Sequence, residues 1–337
     1  MRLIVDAMGG DHAPEEIVLG AVQAKKTLSD LELIFTGDER AICRVLEENK
    51  ISSEGIRIVD TPETISMEED PLCILKSKRG SSMAKGLCLL RDGEGDAFLS
   101  AGSTGALVVG ASSRIYKVKI PEVRRVAIGT VLPLTNPTLL MDSGANLELS
   151  PEEMVQFAHM GNAYMKGVYG LEKPRVALVN NGAEETKGTA LYVESHKLLK
   201  EEKNLYFTGN IEGRDIPLGD ADVILCDGFV GNVILKLSEG FGKFISKELK
   251  GMLGHGIRGL LAGLLILPDL KKFKSRLSYE KHGGAPILGT LRPVIKAHGS
   301  SRRTAIENAV LQADKCCKAE VCRVISQAVA KTEGEEA

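Results

Sequence analysis

The chain has 337 residues, 43% hydrophobic and 26% charged, with a formal net charge of −2. That size and balance suit a soluble globular protein with a substantial core and exclude a disordered or membrane-spanning chain. The near-neutral charge lacks the polyelectrolyte pattern of a nucleic-acid binder, and with no Trp and 4% aromatics there is little on which single-stranded bases could stack.

The N-terminus runs directly into MRLIVDAMGG, whose apolar part is too short for a secretory signal. From there, short apolar runs ending in Gly, Asp or Asn alternate with helix-period segments, the pattern of parallel βαβ units. Strands are predicted at Leu3 to Val5, Glu32 to Phe35, Ile56 to Val59, Ala97 to Ser100, Val126 to Val131, Thr138 to Met141, Arg175 to Val179 and Val223 to Cys226, which read as one large open sheet. Pro14 with Glu15 and Glu16 opens a helix. Ser150-Pro151-Glu152-Glu153 reads as a capping box with proline at the first helical position. Between about Gly240 and Lys281 the strand signals stop, and a Gly-, Leu- and Lys-rich stretch reads as a protruding helical element. The acidic tail from Thr332 to Ala337 should fray. No Pro/Ser-rich linker divides the chain, so residues 1–337 are expected to form a single α/β domain, or two subdomains sharing a continuous sheet. Seven Cys without paired CxxC spacings, with Cys316 beside Cys317, indicate neither a zinc site nor a disulfide framework and fit a reducing cytosol.

Ligands of open parallel sheets bind at the carboxyl ends of strands, so the loops there are the places to seek chemistry. The first is VDAMGGDHAP, where Gly9 and Gly10 let backbone approach a ligand and Asp6, Asp11 or His12 could face it; Asp11 is equally a helix-cap residue. In DAFLSAGSTGALVVGA the turn Gly102-Ser103-Thr104-Gly105 offers backbone N–H groups, two hydroxyls and a positive helix end, either as a phosphate cradle or simply as a tight turn. Its spacing matches neither the P-loop nor the dinucleotide fingerprint. VNNGAEETKGT carries Asn180, Glu184 and Lys187, the lysine being either an anion ligand or an ordinary solvated side chain. CDGFVGNVILK carries Asp227, Gly231 and Asn232, and a fifth loop ends in His298-Gly299-Ser300-Ser301, where the histidine is an anion-site or a core residue.

In IRGLLAGLLILP, residues Ile257, Leu260, Leu261, Leu264 and Leu265 fall on one helical stripe, followed by Lys271, Lys272, Lys274 and Arg276. The run is too short to span a bilayer. Its readings are a core or dimer-interface helix, a dock for an acidic protein, and an interfacial membrane contact.

In chain order, VDAMGGD, SAGSTGAL, MDSGAN, the NxGxExxKG pattern at Asn180 to Gly188, GNIEGRDI, CDGFVGNV and GGAPILG with HGSS resemble the motifs of the PlsX phosphate acyltransferases over nearly the whole chain. Ser103 is a departure, since many members have Asn there; a hydroxyl can still donate a hydrogen bond. The resemblance implies a Rossmann-like α/β fold of the isocitrate/isopropylmalate dehydrogenase type, shared with phosphotransacetylases, working as a homodimer. It implies reversible formation of acyl phosphate from fatty acyl-ACP and inorganic phosphate, without cofactor, metal or covalent enzyme intermediate. The product would feed a membrane glycerol-3-phosphate acyltransferase in bacterial phospholipid synthesis. That places the protein in the cytoplasm, peripherally associated with the inner face of the membrane through Leu260, Leu261, Leu264, Leu265, Lys271 and Lys272.

By the same resemblance Lys187 stabilises charge and Asn232 orients the carbonyl or phosphate. Gly102, Ser103, Thr104 and Gly105 would cradle phosphate, with Asp6, Gly9, Gly10, Asp11, His12, Asn180, Glu184, Asp227, His298 and Ser300 around the substrate. There is no Gly-x-Ser-x-Gly elbow, and Cys226 at a strand end reads as a buried hydrophobe rather than a nucleophile. Two other readings stand beside this one: an NAD- and metal-dependent dehydrogenase of the same fold, and a non-catalytic acyl-carrier-binding scaffold.

Overall fold

The computed structural model describes residues 1–132, 134, 136–254, 265–266, 269 and 283–334. Its parallel strands alternate with helices as the sequence pattern requires, but they form two mixed sheets instead of the one open sheet expected. The first sheet is built from β1 (Arg2–Asp6), β2 (Glu32–Gly37), β3 (Ile56–Asp60), β4 (Ala97–Ser100), β5 (Ala127–Ile128), β11 (Ala285–Leu288) and β12 (Val294–Lys296), in the order β3-β2-β1-β4-β12-β11-β5. The second has the order β6-β7-β10-β8-β9, from β6 (Thr130–Leu132), β7 (Thr138–Met141), β8 (Arg175–Asn180), β9 (Tyr206–Glu212) and β10 (Val223–Leu225). The apolar run at 126–131, read as one strand, is divided at Gly129: β5 pairs antiparallel with β11, and β6 antiparallel with β7.

The helices are α1 (Glu15–Ala24), α2 (Glu39–Glu48), α3 (Ser82–Arg91), α4 (Thr104–Ser112), α5 (Pro151–Tyr169), α6 (Ala190–Glu201), α7 (Gly228–Gly254), α8 (Arg303–Lys318) and α9 (Val321–Gly334). The start of α5 is the expected capping box: the Ser150 hydroxyl accepts from the Glu153 N–H at 3.3 Å, and the Glu153 carboxylate accepts from the Ser150 N–H at 2.8 Å. With those orphan N–H groups satisfied and Pro151 at the first position, a long helix can start abruptly beside the core. Helix α1 starts one residue after Pro14, which occupies its cap position without a side-chain bond, so Asp11 is not the cap.

One apolar core joins the two sheets. Val5, Leu99 and Ile295 of the first and Met141, Leu178 and Leu225 of the second belong to it, together with Phe157 and Met160 of α5. On its other face the first sheet presents Ile4, Phe98 and Val294 to Met83 and Leu87 of α3 and Leu107 of α4, as the period-2 alternation of a doubly covered sheet demands.

Helix α7 contains Gly240, where the protruding element was expected to start. Of the apolar stripe proposed to meet membrane, carrier or partner, Leu265 is described and is 82% exposed. Leu260, Leu261, Leu264, Lys271 and Lys272 lie outside the described residues. Among the described residues no helix is long and apolar enough to cross a membrane. Helix α9 runs to Gly334, which includes Thr332 to Gly334 of the acidic tail.

Candidate active site

At the carboxyl edge of the first sheet three loops converge. Asp6 ends β1, and its buried carboxylate accepts from the hydroxyls of Ser82 at 2.6 Å and Ser100 at 2.7 Å and from the Met8 N–H at 3.3 Å. Ser100 ends β4 and also accepts the Gly102 N–H at 3.0 Å, so the turn into α4 is tied to Asp6. The loop after β1 crosses this turn closely. A Cβ on Gly9 would lie 2.6 Å from the Gly102 nitrogen, and Gly10 has φ +108°, a region that favours glycine. The Asp11 N–H donates to the Gly299 carbonyl at 2.8 Å, which brings in the loop after β12.

The cap of α4 is Ser103, whose buried hydroxyl accepts from the Ala106 N–H at 3.4 Å. Ser103 therefore uses its side chain on the helix, while the exposed Thr104 and the half-buried Gly105 stand in the first turn, where N–H groups have no intrahelical acceptor. This is the geometry in which helix starts receive anions. Lys296, at the end of β12, is buried nearby and donates to the Ala297 carbonyl. Burial pulls its ammonium down to about 8, against the opposing pull of Asp6 and Asp11. Burial likewise pushes the Asp6 carboxyl up, against its hydrogen bonds from Ser82, Ser100 and Met8 and the charge of Lys296.

The second sheet has its own loop cluster. Asp142 follows β7 and accepts from the backbone N–H groups of Ile128, Gly144, Ala145 and Asn146, at distances from 2.7 to 3.1 Å, and from the Asn146 amide at 2.8 Å. The loop so formed presents the Ser143 carbonyl to the Asn232 amide at 3.4 Å. Asn232 lies in the first turns of α7, which Asp227 caps by accepting the Val230 N–H at 2.9 Å. The second Asp227 oxygen accepts the Tyr192 hydroxyl at 2.7 Å, linking α7 to α6. Behind Tyr192, the Asn180 amide donates to the Lys187 carbonyl at 3.0 Å and closes the loop before α6. The Lys187 ammonium itself is half exposed, 4.0 Å from an exposed Glu184 oxygen.

The structure thus gathers Asp6, Gly9, Gly10, Asp11, Gly102 to Gly105 and the His298 to Ser300 turn at one sheet edge, and Asn180, Glu184, Lys187, Asp227 and Asn232 at the other. Several of these residues have duties other than facing a ligand. Asp6 is buried within a serine network, Asp227 caps a helix, and Ser103 caps another. His298 is exposed and bonds the Ser300 hydroxyl at 2.9 Å, so it is not a core residue. His12 lines a cleft of about 440 Å³ with Glu15, Glu16, Arg44 and Arg302. Cys226 is a buried thiol, pushed well above its ordinary value by burial and by Asp142 and Asp227, and so is poorly suited to act as a thiolate nucleophile. Residues not singled out from sequence are Ser82, Ser100, Asp142, Asn146, Tyr192 and Lys296. MDSGAN did carry a signal, an Asp followed by small residues that can turn several N–H groups back on it, and a lysine inside the apolar run VIKA was another.

A chain whose parallel strands end in glycine-opened helix starts, with a lysine exposed at the second edge, has the layout of an α/β enzyme with its site at the strand ends. The model of the family described as "Fatty acid synthesis protein" matches residues 1–324. A phosphate acyltransferase of Halothermothrix orenii is 43% identical over 333 residues, covering 98% of this chain and 99% of the relative. One of Clostridium acetobutylicum is 42% identical over 328 residues, covering 97% and 98%. Among solved structures, a phosphotransacetylase of Streptococcus pyogenes matches with a TM-score of 0.59 at 14% identity, covering 98% of this chain and 94% of that one. A branched-chain phosphotransacylase of Enterococcus faecalis matches with a TM-score of 0.53 at 17% identity, covering 94% and 99%. The chain belongs to the PlsX family of phosphate acyltransferases.

Proposed function

We propose that the protein moves a fatty acyl group from the thioester of acyl carrier protein to inorganic phosphate. A phosphate oxygen attacks the thioester carbonyl, the C–S bond breaks, and the products are acyl phosphate and the free carrier thiol. The observation that carries this reading is the start of α4: first-turn N–H groups beside a loop tied to Asp6 through Ser100 are suited to hold a phosphate for attack. Phosphate is itself the nucleophile, so the enzyme's tasks are positioning and stabilisation of the oxyanion. Lys187, with its exposed ammonium, supplies that positive charge, and Asn232 orients the carbonyl or phosphate from α7.

The test mixes purified protein, acyl carrier thioester and phosphate and follows thioester loss together with hydroxylamine-trappable acyl phosphate. Carrier binding without phosphate-dependent turnover would leave a scaffold; reduction of NAD with a divalent ion would favour the dehydrogenase reading. The product feeds a membrane glycerol-3-phosphate acyltransferase in phospholipid synthesis, and the protein works as a homodimer at the inner face of the cytoplasmic membrane. An uncovered row on α7 favours a partner: Phe229, Val233, Leu237 and Phe241, spaced four apart, are 51 to 68% exposed. Membrane contact belongs to the stretch at 257–276. A Leu261→Glu, Leu265→Glu variant that still dimerises and still co-sediments with anionic vesicles would reject it.

A further inference from the structure

The strand register at the first sheet's carboxyl edge sets Thr36 beside Asp6, Asp6 beside Ser100, and Ser100 beside Lys296 on four adjacent parallel strands. All four residues are buried. A row that only closed the core would be apolar, because buried aspartate and lysine are costly unless compensated. Here the charges flank a serine whose hydroxyl does two things: it donates to Asp6 at 2.7 Å and accepts the Gly102 N–H at 3.0 Å.

The direction of these bonds depends on the charge of Asp6. An ionised carboxylate only accepts, so the protons of Ser82 and Ser100 must both point at it, and the Ser100 lone pairs are left for Gly102. A neutral carboxyl would carry a proton of its own into the same space. The Ser100 hydroxyl would then be free to turn, and Gly102 would lose its fixed acceptor. The buried cation of this row is Lys296, whose ammonium donates to the Ala297 carbonyl and whose charge favours the ionised form of Asp6 against the burial that opposes it.

We propose that Lys296 and Asp6 are positioning residues for the anionic acyl acceptor: Lys296 keeps Asp6 ionised without touching the anion, and Asp6 acting through Ser100 presets the start of α4. This rests on phosphate being the acceptor. Apolar replacement of either charge alone leaves the other buried without that opposite charge, whereas removal of both together does not. That difference separates positioning from folding.

The experiment uses the full chain with Ser100→Ala, Lys296→Met and the double variant Asp6→Asn, Lys296→Met. Each is measured for KM of phosphate, KM of the acyl donor, thermal unfolding, and phosphate binding by calorimetry. Expected results are a phosphate KM at least tenfold higher in all three and an acyl-donor KM within twofold of wild type. The double variant should keep a near-wild-type unfolding midpoint and still bind phosphate at least tenfold more weakly. A wild-type phosphate KM in Ser100→Ala or in the double variant overturns the proposal, as does an equal rise of both KM values. If Lys296→Met fails to fold, those two variants decide. Should wild type bind phosphate but transfer no acyl group, the reaction proposed above falls, and the calorimetric comparison of wild type with Ser100→Ala still tests the positioning role. Failure of wild type to bind phosphate rejects both.

Discussion

Two glycines on α7 should respond to the same substitution with opposite signs. At Gly231 an added Cβ would be driven into the Asp142 carbonyl oxygen, with the carbonyl carbon at 2.9 Å and the Cys226 sulfur at 3.0 Å. The oxygen is the tightest of these contacts, and a carbon rests comfortably against an oxygen only at about 3.2 Å or more, so one backbone must retreat by roughly 1 Å or more. Neither is free to do so. The Asp142 N–H donates to the Cys226 carbonyl at 2.9 Å, the Cys226 N–H donates to Met141 at 2.8 Å, and the Gly231 N–H is held by Asp227 at 2.9 Å. Overpacking of this kind costs about 3 kcal/mol. Alanine in a helix recovers about 1 kcal/mol over glycine, leaving Gly231→Ala about 2 kcal/mol less stable. At Gly240 a Cβ would meet nothing within 4 Å, so Gly240→Ala should gain about 0.5–1 kcal/mol. Urea unfolding followed by circular dichroism reads both. Gly231→Ala should also lose turnover, because the retreat opens the contact between Asn232 and Ser143. A Gly231→Ala protein as stable as Gly240→Ala would refute the claim that the Asp142 loop and α7 are locked together.

Other consequences follow from single side chains. Lys187→Ala should leave the unfolding midpoint unchanged, since the ammonium is half exposed, and lower turnover by about 100-fold; unaltered phosphate-dependent turnover would remove Lys187 from the mechanism. Cys226→Ala should retain activity within about threefold, and a loss near the 10²-fold or more expected of an essential catalytic group would restore the thiol as a nucleophile. Glu16 is held below the usual carboxylate range by the Arg303 side chain and N–H, the latter at 2.7 Å. Its contribution is therefore full above the unfolded value of about 4.3 and is lost as pH falls through the lower folded value. Glu16→Gln should remove about 1 kcal/mol at neutral pH and flatten the decline of thermal stability in acid; an unchanged pH profile would count against this pairing.

The alternation of strands and helices was legible because buried parallel strands must be apolar and their connections must be helical. What escaped were β9, β11 and β12. Strand β9 is an edge strand with half-exposed residues and Gly209 at φ +94°, so it lacks an apolar run. Strands β11 and β12 are no shorter than β4 and β10, but a proline and a lysine interrupt their apolar runs. The division at Gly129 was invisible for a different reason: a change of sheet in mid-strand alters hydrogen-bond partners without altering the apolar pattern. Among site residues, glycines and helix starts were legible as loops. The partners of Asp6 and Asp142 come from residues distant in sequence or from backbone N–H groups, which carry no letter of their own.

Helix α7 ties these levels together. Asn232 is adjacent in sequence to Val233, so about 100° of helical rotation separates the side chain that bonds the Ser143 carbonyl from the exposed row at Phe229, Val233, Leu237 and Phe241. One flank of the helix is fixed by Asp142, Asp227 and Tyr192, and the other, at Phe229, Val233, Leu237 and Phe241, is exposed among the described residues. In the proposed dimer the second copy covers it. Because packed helices resist continuous deformation, a partner gripping the apolar row also fixes the rotation of the helix that carries Asn232. Loss of the partner then acts on turnover through the orientation of one amide, with the strand-end loops of the first sheet left in place.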